Sequence, residues 1–171
     1  MSSQFNQSIT DPNGNVLQQS SGIMALQRPG KFRWETQHPN PQLALADGKN
    51  IWVYDSQLQQ ATRQPQIAAN NSPGALLSGN VTKLSHEFTV SSLTPIANTD
   101  QGFNLVPIDK NALFQSVQLY FNHGLLQTMR LKDNLDQTTL IQFHLVKNNI
   151  AINTALFQFS PPKGVDVVTG T

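Results

Sequence analysis

The chain contains no cysteine, which excludes disulfides, thiolate metal centres and thiol nucleophiles and leaves the redox compartment open. Charge is scarce as well: 11 Lys plus Arg face 10 Asp plus Glu, and charged residues make up 12% where about a quarter is usual. A net charge of +1 gives no basic field, so nucleic acid is not an expected partner. Glutamine and asparagine replace the missing charge, supplying about a fifth of the residues, and amides keep a surface hydrated without a strong field. No apolar run approaches the roughly 20 residues of a spanning helix. The opening MSSQFNQSIT has neither the basic nor the apolar part of a signal peptide.

Catalytic signatures are missing too. His38, His86, His123 and His144 stand singly, without His-x-His or His-Glu-x-x-His spacing, so no metal site is expected. His123 falls in a tight turn and His144 on the polar side of its segment, where a solvated surface role is the simpler reading. The glycines never gather into a phosphate loop, and no G-x-S-x-G is present. No catalytic residue, metal or cofactor is nominated, and the chain is read as a non-enzyme.

What is present is alternation with a period of two. Phe32 and Trp34 alternate with Lys31, Arg33 and Glu35, and Val117, Leu119 and Phe121 alternate with Gln118 and Tyr120. Leu125, Met129 and Leu131 oppose Thr128, Arg130 and Lys132, and Ile141, Phe143 and Leu145 oppose Gln142 and His144. Turn residues fall between these segments: Asn13-Gly14, Asp47-Gly48, Asn122-His123-Gly124 and the polar stretch 132–137. About ten residues per strand predicts a mainly β fold, a strongly curved antiparallel sheet forming an incomplete barrel. The second half reads as an antiparallel meander, ending at Pro161-Pro162 with a short tail from Lys163 to Thr171.

One segment departs from this pattern. In NNSPGALLSGN, residues 70–80, Ser72 is placed to cap a helix, Pro73 to occupy its first position and Gly79 to stop it. A short helical lid of about two turns is therefore predicted, with Ala75, Leu76 and Leu77 apolar. Nothing divides the chain, and 1–171 is read as a single domain.

Several stretches together resemble the LolA family. LQRPGKFRWE, residues 26–35, is similar to that family's strand, Arg-Pro turn and following strand, at Arg28, Pro29, Phe32 and Trp34. LALADGKNIWVYD, residues 43–55, is similar to its Asp-Gly-Lys hairpin with a Trp-x-Tyr strand, at Asp47, Gly48, Lys49, Trp52 and Tyr54. SPGALLSG (72–79) looks like the lid helix, and FQFSPPKGVDVV (157–168) like the closing strand with its Pro-Pro-x-Gly-Val signature. The resemblance departs at the front. FNQSITDPNGN, from Phe5, matches the family's Phe-x-Gln strand, whereas the helix and signal peptide that precede it there are missing here. The sequence thus reads as an N-terminally truncated half-barrel that exposes apolar surface and is prone to self-association.

The resemblance implies a periplasmic carrier that holds the acyl chains of lipoproteins in an apolar cavity. Its implied partners are acylated lipoproteins, an inner-membrane lipoprotein-releasing ABC transporter and an outer-membrane lipoprotein receptor. It casts Arg28 as a latch whose guanidinium bonds the lid backbone when the cavity is empty, against the plainer reading of a surface arginine before a turn proline. The inward parity supplies Phe32, Trp34, Val117, Leu119, Phe121, Met129, Ile141 and Phe143 as candidate cavity walls, with an ordinary packed core as the alternative for each. Leu76 and Leu77 face either cargo or the sheet, and Trp52 and Tyr54 are assigned to sheet structure. The rival readings are a related half-barrel lipid-binding receptor or periplasmic sensor module, and then a β-barrel enzyme, which needs convergent titratable groups in the pocket.

Overall fold

A computed structural model describes residues 1–66 and 72–170. Six strands come first: β1 (Ser2–Thr10), β2 (Val16–Gln27), β3 (Lys31–His38), β4 (Gln42–Asp47), β5 (Asn50–Asp55) and β6 (Gln60–Pro65). Two short helices follow, α1 (Pro73–Ser78) and α2 (Val81–Glu87). Then come β7 (Phe88–Leu93), β8 (Gln101–Pro107), β9 (Phe114–Asn122), β10 (Leu125–Asp133), β11 (Thr138–Lys147) and, last, β12 (Asp166–Thr169). All twelve form one sheet in the order β12-β6-β5-β4-β3-β2-β1-β11-β10-β9-β8-β7.

Tight turns build each half of this sheet as a chain of hairpins. At the β4–β5 turn Gly48 takes a φ of 98°, and Asp47 accepts the Lys49 and Asn50 N–H groups at 2.7 Å each. At the β9–β10 turn His123 and Gly124 both have positive φ, 49° and 75°, as a two-residue hairpin of the right twist requires. The halves meet where β1 pairs antiparallel with β11, Phe5 opposite Phe143 and Gln7 opposite Ile141. That contact spans most of the sequence, and it closes the sheet's concave side around one core. Phe5, Met24, Leu26, Phe32, Ala46 and Ile51 from the first half pack with Leu105, Phe114, Val117, Met129, Ile141 and Phe143 from the second.

The convex side is covered in one place. After β11 the chain crosses outside β3 and β4 as a single 3-10 turn, Thr154–Phe157, and then adds β12 parallel to β6. Phe157 is buried there, as are Leu43 and Leu45, which share their face with Trp52 and Tyr54. Phe159 lies 5.4 Å from the rings of both Trp52 and Tyr54, and the Arg63 guanidinium sits 5.7 Å over Trp52. Trp52 and Tyr54 thus hold the C-terminal segment against the outside of the sheet.

Several sequence expectations change in detail. The closing strand expected within 157–168 is not continuous: Phe157 ends the 3-10 turn, 158–165 forms no strand, and the strand is Asp166–Thr169, inside the stretch expected to be a tail. Alternation along β10 is broken by an irregularity between Leu126 and Thr128, so Leu126, not Leu125, joins the core with Met129 and Leu131. Tyr120, on the polar parity of β9, is buried because Gly102 across the strand leaves room for its ring: a Cβ there would lie 3.0 Å from Tyr120 Cε1. The helix α2 was not expected. It starts with Asn80 accepting the Thr82 N–H at 2.9 Å, and its sequence VTKLSHE carries no marked apolar stripe.

Candidate functional site

The predicted lid forms as its sequence directs. Ser72 caps α1 by accepting the Ala75 N–H at 3.2 Å, and Pro73 occupies the first helical position, where its missing N–H costs nothing. Asn70 and Asn71, which opened the predicted segment, lie outside the described residues. Gly79 ends the helix with an ordinary φ of −56°, so its role there is not left-handed geometry. The helix sits on the concave side over β2 and β3. A Cβ on Gly74 would fall 2.8 Å from Phe32 Cδ2, so only glycine lets the lid approach this closely.

The far end of α1 is held by the β2–β3 turn. A helix leaves its last carbonyls without partners, and two are satisfied here from outside. Arg28 Nε donates to the Leu77 carbonyl at 3.1 Å, and the Gly30 N–H donates to the Ser78 carbonyl at 2.8 Å. Gln66 clasps the same turn from its other side, its Nε2 donating to the Gly30 carbonyl at 2.6 Å. The Met1 nitrogen donates to the Leu26 carbonyl at 2.9 Å. Arg28 is therefore not an isolated surface side chain in this structure, because it is bonded to the lid backbone.

The candidate wall residues divide into three groups. Val117, Met129, Ile141 and Phe143 are buried in the core, with Phe32 among them under Gly74. The Trp34 ring lies 4.4 Å from that of Phe5, tilted by 33°, and forms, with Phe32 and Ala44, the apolar floor of a cleft of about 340 Å³ at the end where β3 finishes. Leu77, Leu119 and Phe121 line a second cleft of about 450 Å³ at the opposite end, beside Arg28 and together with Leu26, Leu126 and Ile152. Leu76 lines neither. It faces a groove of about 580 Å³ on the lid's outer flank, with Pro29, Gln66 and Leu84. Of the two lid leucines, Leu77 is the one packed into the core. The interior between the two clefts is occupied by the protein's own side chains.

Sequence reasoning missed Met24, Leu26, Leu126, Gly74 and Gln66. The first two were visible as alternation in GIMALQ; Leu126 was displaced by the irregularity in β10. Gly74 and Gln66 carry no local signal, because their importance lies in contacts with a distant turn and strand.

The polar groups do not converge on chemistry. Among the described residues no three His, Asp or Glu side chains gather as a metal site would require. Asp11, Asp47 and Asp133 each spend a carboxylate oxygen on turn N–H groups. His144 is exposed and 3.2 Å from the Asn6 amide, and His123 is exposed in its turn.

Comparisons with known proteins agree with this geometry. The chain is 42% identical to an outer-membrane lipoprotein carrier protein of Coxiella burnetii over 167 residues, covering 96% of this chain and 78% of that one. It is 42% identical to a protein of the same description from Dechloromonas aromatica, covering 98% and 80%, and 39% identical to one from Pseudomonas entomophila, covering 98% and 81%. At the level of fold alone it resembles a LolA superfamily protein from Nitrosomonas europaea, with a TM-score of 0.52, 12% identity and coverage of 92% and 89%. A Thermus thermophilus protein of uncharacterised role gives a TM-score of 0.59 at 13% identity, covering 99% and 91%. Residues 1–160 match the family model described as outer membrane lipoprotein carrier protein LolA, and with lid, turn and curved sheet already in place, this chain belongs to that family.

Proposed function

We propose that this chain carries lipoproteins through the periplasm, with their acyl chains taken up on the concave face beneath α1. In this reading it receives them from an inner-membrane ABC transporter and passes them to an outer-membrane receptor. The observation that carries the proposal is the pairing of an apolar concave face with a lid held by few bonds. Phe32 lies directly under Gly74, and the C-terminal end of α1 is tied to the β2–β3 turn through Arg28 and Gly30.

The physical need is clear. Each methylene moved out of water contributes about 0.8 kcal/mol, so several long acyl chains crossing an aqueous space unaided would cost tens of kcal/mol. A membrane already shelters those chains, so the carrier gains little net free energy by taking them. An interior that fills with its own side chains when empty suits such a handover better than a rigid open pocket.

In the same reading Arg28 is the latch. Its bond to the Leu77 carbonyl favours the closed, empty form, and cargo must break it. The wall is formed by Phe32, Trp34, Leu77, Leu119, Phe121, Val117, Met129, Ile141 and Phe143, with the buried members becoming accessible only as the lid lifts. Leu76, on the outer flank, helps seat the lid without facing cargo. The test is to co-express the protein with a lipoprotein in a periplasm and examine the purified material by intact mass spectrometry. Acylated lipoprotein bound in stoichiometric amount is expected. Its repeated absence under conditions that load a homologous carrier would refute the proposal.

A further inference from the structure

The concave face is not uniform along its length. Where β1 begins, one cleft carries the Arg28 cation and the Gln27, Asn148 and Asn149 amides around Leu26, Leu77 and Phe121. Six residues further along β1, about 20 Å at 3.3 Å per residue, the other cleft is walled above its Trp34 floor by Gln7, Gln18, Ser20, Thr36 and Gln42. The pairing register puts these side chains on the same face as the core: Gln7 is opposite Ile141 and Ser20, and Thr36 is opposite Gly22 and Gln42. Each lies on a strand of the rigid sheet. Among the described residues, none of the five side chains makes a hydrogen bond within the protein, although the surrounding turns are bonded extensively. Among the described residues nothing occupies their donors and acceptors, which face the cleft.

The charge of this cleft is as informative as its polarity. Among the described residues no lysine or arginine lines it, and the one charged group that does is the Asp55 carboxylate. An acyl chain lying under α1 has its polar end near this cleft or near the one beside Arg28. Amides and hydroxyls complement ester carbonyls and peptide groups, which are neutral donors and acceptors. A phosphodiester would lose its hydration here, meet no cation and face a carboxylate.

We infer that the cleft formed by Gln7, Gln18, Ser20, Thr36 and Gln42 is a subsite for the neutral glyceryl-ester and peptide end of an acylated cargo, and that it rejects lipids carrying a phosphate. This inference rests on the carrier reading and adds to it how cargo is told apart from the phospholipids around it. Acyl chains are common to both, so the apolar face cannot discriminate; the polar end can.

The test uses native mass spectrometry of the purified chain in detergent micelles containing one of three probes. These are a C-terminally amidated tripalmitoyl-cysteinyl-serinyl-asparagine lipopeptide, dipalmitoylglycerol and dipalmitoyl phosphatidylglycerol. Lipopeptide and dipalmitoylglycerol are expected to bind, and phosphatidylglycerol about tenfold more weakly than dipalmitoylglycerol, the scale of one lost charge-assisted contact. Gln42→Lys, at an exposed position of the cleft wall, is expected to raise phosphatidylglycerol binding about tenfold. Gln19→Lys, which adds the same charge to the opposite face of β2, is expected to leave it unchanged. Equal binding of the two dipalmitoyl lipids by the unmodified chain, or equal gains from the two lysines, would overturn the subsite and leave the carrier reading standing. Failure of the lipopeptide to bind would overturn both.

Discussion

Removing the Arg28 side chain is the sharpest probe of the lid. In the closed form two bonds tie the end of α1 to the β2–β3 turn, from Arg28 Nε to the Leu77 carbonyl at 3.1 Å and from the Gly30 N–H to the Ser78 carbonyl at 2.8 Å. Arg28→Leu deletes the first and leaves the second. A hydrogen bond from a charged donor is worth about 1.5–3 kcal/mol when well shielded, and a partly exposed one nearer 1 kcal/mol. Arg28 is exposed, so about 1 kcal/mol is the appropriate figure. That moves the closed-to-open equilibrium about fivefold. Amide exchange of the segment 72–79 should therefore quicken about fivefold where exchange follows the opening equilibrium.

The same factor must appear in binding. If the latch favours the empty form, its loss strengthens acyl-ligand affinity about fivefold and slows release to an acceptor by a similar amount. Gly74→Ala reaches the same state by another route. Its Cβ meets Phe32 at 2.8 Å and lifts the lid at a cost of about 1–3 kcal/mol. Both variants should exchange faster over 72–79 and bind a fluorescent fatty acid more tightly. Unchanged exchange and unchanged transfer to the receptor in Arg28→Leu would remove the latch from the mechanism.

Three further outcomes follow from the same geometry. Gly22→Ala should fail to fold to a stable product, losing more than about 3 kcal/mol by denaturant titration, because its Cβ would stand 1.9 Å from the Glu35 carbonyl oxygen and 2.9 Å from Phe5 Cζ. Phe157→Ala should cost about 3 kcal/mol and make the chain beyond Lys147 sensitive to limited proteolysis, since the turn carrying Phe157 covers the convex face of β3 and β4. For Asp47, burial raises the pKa, but donation from the Asn50 and Lys49 N–H groups outweighs it and holds the carboxyl below 3.8. A depressed carboxyl adds stability above its unfolded pKa and loses it as pH falls through the folded value. Asp47→Asn should thus cost a few tenths of a kcal/mol at neutral pH, screened by solvent, and in thermal melts the difference from the unmodified chain should shrink as pH falls below 3.8 and vanish only beneath the lower folded value.

The strands and the lid were legible in the sequence because each rests on local chemistry. Alternation assigned Phe32, Trp34, Val117, Leu119 and Phe121 to one face, and all five lie on the concave side. Ser72 and Pro73 announced α1 and occupy the positions expected of them. Non-local contacts were not legible. Period two separates two faces but does not say that Phe157 and Phe159 return to cover the convex one, which is why Leu43 and Leu45 are buried on a side that elsewhere meets solvent. The irregularity near Gln127 exchanges Leu125 for Leu126 without any Gly or Pro to mark it. The helix α2, capped by Asn80, is not legible because Gly79 reads as a full stop. The polar cleft was hidden because Gln7, Gln18 and Gln42 look like the many amides of the surface until the register turns them inward.

The closed interior bears on how such a protein can both bind and release. Its core residues satisfy one another in the empty form: Val117, Met129 and Ile141 are no more than 1% exposed. An acyl chain entering there replaces contacts already made and does not fill a void, so the gain from its burial is offset by the burial it displaces. Affinity is then set by small differences, among them the Arg28–Leu77 bond of about 1 kcal/mol that we propose as a latch. Differences of that size are also what an acceptor can reverse. A deeper pocket would bind more tightly and hand over more slowly. The loss of a single hydrogen bond at Arg28 should accordingly matter more to transfer than the truncation of any one buried wall residue matters to capture.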